Sequence, residues 1–295
     1  MQNASPAAIA VLVLELAPAV LFGLAGERVG RAFSRWPSGI RTALPVLCAL
    51  PYVLISLSYQ MFSWKWCALY AALPVAIAWL LGRAAIADPE QRGNWRDAIV
   101  LLTIGLAVDL RWFERAWPNG LTSLGKLLLV DAALYGFVVI RQPNGTGFDF
   151  HFCWSDWKTG LRELAYFSPL VIAGGLALGF LHPHGNPLRL SMVSTMIPTW
   201  IYIFIFVAVP EELFFRAWVQ NLLERRVGRR AALVLTAVLF GLSHFNKRSA
   251  YFNWRYVVLA SVAGIFYGRA WREQGRGPAS AITHASVDAI WSFWF

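Results

Sequence analysis

The chain has 295 residues, 58% of them hydrophobic and only 14% charged, with a formal net charge of +10. A soluble domain carries about 25% charged residues, so this composition excludes an ordinary soluble fold and points to a chain built in a bilayer. The positive charge does not indicate nucleic acid, because the arginines fall in short loops between apolar runs, as positive-inside topology requires. The 15 tryptophans suit aromatic belts at the two membrane interfaces. Cys48, Cys67 and Cys153 show no CxxC or ligand spacing, so neither a disulfide framework nor a zinc ribbon is implied. Residues 1–10 carry no positive segment, and a cleaved signal peptide is not expected.

Apolar runs of spanning length are predicted at about residues 7–26, 42–59, 66–86 and 121–140, with a shorter, tilted or half-inserted one at about 98–110. Glu15, near the middle of the first, has no evident partner and reads as structural. Lys126 and Asp131 are five residues apart and read as a packing pair or a snorkelling lysine rather than a site. Residues 141–147 (RQPNGTG) are the clearest break, a turn-rich linker. It separates a transmembrane section, 1–147, of unassigned role from a working section, 148–295.

In the working section, Trp154, Trp157, Leu161 and Leu164 recur at helical spacing with Asp156, Lys158, Arg162 and Glu163 on other faces. That pattern predicts an amphipathic interfacial helix near 154–165, capped by Ser155 and leading into a span at about 164–181. His182-Pro-His184 reads as a solvated turn. Four further runs follow at about 193–223, 231–245, 256–271 and 278–295, with Pro198 and Pro210 placed to break the first. With both termini outside and ten spans, 17 Lys and Arg fall in inside loops and 7 in outside loops. If 98–110 does not cross, the count is nine. The expected fold is all-α, a polytopic bundle of about 8–10 spans.

Polar pairs interrupt three of the last four runs. The first is Glu211-Glu212 with Arg216. A charge at mid-bilayer costs roughly 2.5–3.5 kcal/mol, so such residues are functional candidates. Glu212 and Arg216 share a helix face, and Glu211 is turned about 100° away and left free. The second pair is Phe240 with His244, the third His284 with Asp288, each at i, i+4. This inventory can run a hydrolysis: a glutamate near a histidine takes a proton from an attacking water, and a second histidine stabilises an oxyanion or protonates the leaving amine. The same glutamates and histidines could hold a divalent metal across helices. Proton-coupled transport also needs carboxylates and histidines at midplane, but no internal symmetry supports it.

Glu211-Glu212-x-x-x-Arg216, Phe240-x-x-x-His244 and His284-x-x-x-Asp288 resemble, in order and rough spacing, the three motifs of the CAAX protease and bacteriocin-processing (Abi) family of intramembrane proteases. The resemblance spans about residues 156–294. It implies a peptide-bond hydrolase with its site inside the bilayer. Glu211 would be the general base and His244 would help hold the water. Glu212, His284 and Asp288 would complete the polar cavity, and Arg216 would fix the glutamates, with Phe240 in support. Many members have Asn at the place of Asp288. The family is described both as metalloprotease and as metal-free glutamic-type. A metal-free site is favoured; zinc, if present, would use Glu211, His244 and His284. The expected partners are the lipid bilayer and a membrane-anchored protein or peptide cut in a C-terminal tail or sorting segment. The expected location is a bacterial plasma membrane. The alternative is a non-proteolytic immunity or transport protein using the same buried cluster.

Overall fold

The computed structural model describes residues 5–184, 190–247, 249 and 251–295, so Arg189 and Arg248 of the charge count lie outside the described residues. Among the described residues the regular structure is entirely helical. The chain forms two compact units, Met1–Asn144 and Gly145–Phe295.

The first unit holds α1 (Pro6–Ser34), α2 (Ser38–Ser58), α3 (Trp64–Ala87), α4 (Trp95–Asp109) and α5 (Thr122–Arg141). Ser5 caps α1 by accepting the Ala8 N–H at 3.2 Å, with Pro6 opening the helix where no N–H is needed. Asn94 and Asp97 form a reciprocal capping box at α4. Helices α1, α2, α3 and α5 are long and apolar enough to cross a membrane. At 15 residues α4 falls short of the roughly 20 that a span needs. α5 packs against α1, α3 and α4. The buried Arg141 at its end pairs with Asp88 at 2.5 Å and Asp97 at 2.9 Å, tying α5 to the α3–α4 connection. Of the two readings of Lys126, the structure favours the snorkelling lysine over the pair with Asp131: its side chain is 43% exposed and its ammonium reaches Glu114 at 3.4 Å. Glu15 is buried with neither carboxylate oxygen hydrogen-bonded.

The second unit holds α6 (Trp154–Ala177), α7 (Met192–Val227), α8 (Arg229–Leu242), α9 (Trp254–Gln274) and α10 (Gly277–Trp294). α7 is the fifth helix long and apolar enough to span. α6, α9 and α10, of 24, 21 and 18 residues, have comparable length but more polar sequences. α10 packs against α6, α7 and α9, and α8 lies along α9. Small residues permit that approach: a Cβ on Gly264 would stand 2.9 Å from Ala237 Cα, and one on Gly241 2.4 Å from the Val257 carbonyl oxygen.

Two local expectations change. α6 is one continuous helix whose inward face carries Asp156 and Glu163, while Trp154 and Leu161 point outward. The buried carboxylates are matched by arginines, Arg276 to Asp156 at 2.8 Å and Arg269 to Glu163 at 3.2 Å, so ion pairing decides which face is buried. The N-cap is Cys153 rather than Ser155, and Asp156 at N3 reaches back so that its carboxylate accepts the Cys153 N–H at 2.7 Å. Second, Pro198 and Pro210 do not break α7. Pro210 offers no N–H to the carbonyl four residues back. The helix absorbs this with wide π turns at Phe204–Ala208 and Leu213–Gln220 on either side of Val209–Glu212.

Candidate active site

The short α segment between the two π turns of α7 carries Glu211 and Glu212 on different faces. Glu212 is buried and fully engaged. Its Oε2 lies 2.9 Å from Arg216 Nε and accepts the Ser280 hydroxyl, and its Oε1 accepts His284 Nδ1–H at 2.9 Å. Arg216 is itself buried, with its guanidinium 5.2 Å from the Phe240 ring centre and 5.8 Å from that of Tyr267. An aromatic cage of this kind stabilises a desolvated cation. Arg216 and Glu212 thus form a charged brace between α7 and α10.

Glu211 is placed differently. Its side chain is 27% exposed, and its nearest polar neighbours stand off: Oε1 is 3.9 Å from Lys247 Nζ and Oε2 is 3.9 Å from His284 Nε2. Oε2 is buried without a hydrogen-bond partner. These gaps are too long for direct hydrogen bonds and of a size that a water can bridge.

The two imidazoles are held by Nδ1. His284 gives Nδ1 to Glu212 and turns Nε2 toward Glu211 and toward Asp288 Oδ2, 3.6 Å away. Tyr267 stacks on this ring with centres 4.6 Å apart. His244, just past the end of α8, lies 2.8 Å by its Nδ1 from the Phe240 carbonyl oxygen, which only accepts, so Nδ1 carries the hydrogen. Its Nε2 is left free of that anchor. Phe240 stands between the two histidines, with centres 4.9 Å from His244 and 5.6 Å from His284.

Beside the histidines lies a largely apolar cavity of about 80 Å³ between α6, α9 and α10. Phe167, Tyr256, Leu259 and Trp291 line it, and His244, His284 and Asp288 form its polar wall, whereas Glu211 is not in its lining. An apolar pocket with a few convergent polar groups is the usual form of a small-ligand or side-chain site.

Anchoring Nδ1 suits a histidine that holds water and one that binds a metal alike. The donors named for zinc are Glu211, His244 and His284. Among the described residues, no three His, Cys, Asp or Glu side chains come together to hold an ion. The structure therefore gathers Glu211, Glu212, Arg216, Phe240, His244, His284 and Asp288 around one point. It adds Ser280, Tyr267 and Lys247, which sequence reasoning missed. Ser280 sits one turn before His284, at the same i, i+4 spacing as the motifs, and was findable. Tyr267 and Lys247 carry no such signal, since their place depends on how α9 and the end of α8 pack.

Residues 193–290, about a third of the chain, match the family model described as type II CAAX prenyl endopeptidase Rce1-like. Over these residues the chain is similar to the Rce1-like family. The matched stretch contains the Glu-Glu-x-x-x-Arg, Phe-x-x-x-His and His-x-x-x-Asp residues of the cluster. That family is one of peptidases, and the five helices long and apolar enough to cross a membrane make the chain an integral membrane protein. No curated protein and no solved structure gives a match.

Proposed function

We propose that the 148–295 section is an intramembrane endopeptidase. It hydrolyses a peptide bond in the C-terminal tail or sorting segment of a membrane-tethered substrate, in a bacterial plasma membrane. The observation that carries this reading is the buried, unpartnered Glu211 Oε2 facing His284 Nε2 across 3.9 Å. A carboxylate left free in a cluster whose other carboxylate is fully engaged is the group available to take a proton.

A water in that gap bonds to Glu211 and is steadied by the free Nε2 of His244. As it attacks the scissile carbonyl, its proton passes to Glu211 and its oxygen bonds to carbon. His284 has both ring nitrogens turned to carboxylates, which only accept hydrogen bonds, and this suits a ring carrying hydrogen on both. Its Nε2–H is the donor for the oxyanion. Collapse of the tetrahedral intermediate breaks the C–N bond, and the proton held by Glu211 goes to the leaving amine. Glu212, Arg216 and Ser280 fix His284, and Asp288 flanks the ring from the cavity side. The proposed route needs no metal.

The test compares protein termini by mass spectrometry in cells lacking this chain and complemented with wild type or Glu211→Gln. The proposal expects a membrane-tethered protein to gain its mature terminus with wild type alone. Identical termini with both variants, each present in the membrane, would reject proteolysis and leave immunity or transport as the account.

A further inference from the structure

We propose that Glu15 binds an exchangeable monovalent cation, a proton or a sodium ion, with Asp131 as the second acid of the site. The inference concerns the first unit and does not rest on the endopeptidase reading. Glu15 is 1% exposed, and among the described residues it is the one carboxylate with both oxygens buried and without a hydrogen-bond partner. It stands nine residues into α1 from Pro6, and Asp131 stands nine residues into α5 from Thr122. At about 1.5 Å per residue each is about 14 Å along its helix, close to the middle of a hydrocarbon core about 30 Å thick. α1 packs against α5, and the partly buried Asp131 is near enough for its charge to act on Glu15. Cys48 of α2 and Tyr70 of α3 are also in range of Glu15. None of these groups brings a positive charge. The guanidinium of Arg41 acts instead on Tyr135, one turn beyond Asp131.

A carboxylate at that depth is costly unless a positive charge accompanies it, and two carboxylates that act on each other repel. One proton shared by the pair leaves one negative charge, which a monovalent ion matches. A second proton held permanently would answer that charge but leave its O–H on Glu15 without an acceptor. No hydrogen bond locks the group into one protonation state, so its occupancy is free to follow the supply of cations. The backbone adds oxygen donors. Pro18 and Pro74 offer no N–H to the carbonyls of Leu14 and Tyr70, four residues back. The first of these carbonyls is next to Glu15 in the chain, and the second belongs to a residue in its range. Carbonyls released from the helical ladder are donors that hold monovalent ions in interrupted membrane helices.

The probe is dicyclohexylcarbodiimide, an apolar reagent that attaches to protonated carboxyl groups inside a bilayer. The full chain in phosphatidylcholine liposomes is treated with it in choline chloride, with and without added sodium chloride, between about pH 6 and about pH 9. Peptide mass spectrometry reads the adduct on Glu15. If the site takes sodium, labelling at fixed pH falls about tenfold once sodium reaches about ten times its half-protecting concentration, by mass action. If it takes protons alone, sodium has no effect and labelling falls as the pH rises. Either result supports exchange and names the cation. Asp131→Asn should shift the half-protecting sodium concentration, or the pH of half-labelling, and an unchanged response would overturn the two-acid site. Glu15 labelled equally at every pH and sodium concentration, or never labelled, would overturn the inference and leave the group a permanently neutral packing residue. None of these outcomes bears on cleavage by the second unit.

Discussion

Replacing Arg216 with Met tests whether the Glu212 brace holds the site together. The guanidinium is buried, 2.9 Å from Glu212 and enclosed by Phe215, Phe240 and Tyr267. Met fills most of the volume but removes the charge. Glu212 would keep Ser280 and His284 but lose its cation in a site with no access to water. Breaking a buried pair from one side costs about 3–5 kcal/mol, a large part of a typical stability of about 5–15 kcal/mol. Removing both charges is far cheaper, so Glu212→Gln combined with Arg216→Met should recover most of the loss. The assay is reversible unfolding in detergent micelles for wild type, both single variants and the double variant. A single Arg216→Met variant within about 1 kcal/mol of wild type, or a double variant no more stable than the single, would refute the brace.

Three further outcomes follow from the packing and the site. Arg141→Met should destabilise the first unit by about 3–5 kcal/mol, because it takes the guanidinium bonded at 2.5 Å and 2.9 Å away from half-buried Asp88 and buried Asp97; limited proteolysis of that unit reads the effect. Gly264→Leu should cost about 1–3 kcal/mol and lower activity as well, since its Cβ would meet the Ala237 backbone and push α9 away from α8, just past whose end His244 sits; unfolding and cleavage rates check both. Treatment with EDTA or phenanthroline should leave cleavage unchanged, and a loss restored by added zinc would contradict the metal-free route.

The sequence made the chemistry legible because the site is written in helical spacing. Glu212 with Arg216, Phe240 with His244 and His284 with Asp288 are each one turn apart, and a charge in an apolar run stands out by its cost. Partners across helices were not legible. That Glu212, rather than Glu211, takes His284 Nδ1 depends on how α7 and α10 meet. The inward face of α6 was not legible for a related reason: Asp156 and Glu163 are buried where Arg276 and Arg269, more than a hundred residues later, arrive to pair with them. Pro210 marked an irregularity in α7 but not its form, since a break and a π turn begin from the same missing N–H.

The most direct measurement is the rate at which purified wild type and Glu211→Gln, reconstituted side by side, cleave one membrane-anchored reporter peptide. Glu→Gln preserves the shape and hydrogen-bonding size of the side chain and removes the proton acceptor. The account predicts a fall of about 10²–10⁴-fold in kcat/KM with an unchanged melting temperature. A Glu211→Gln protein that cleaves as fast as wild type would contradict it.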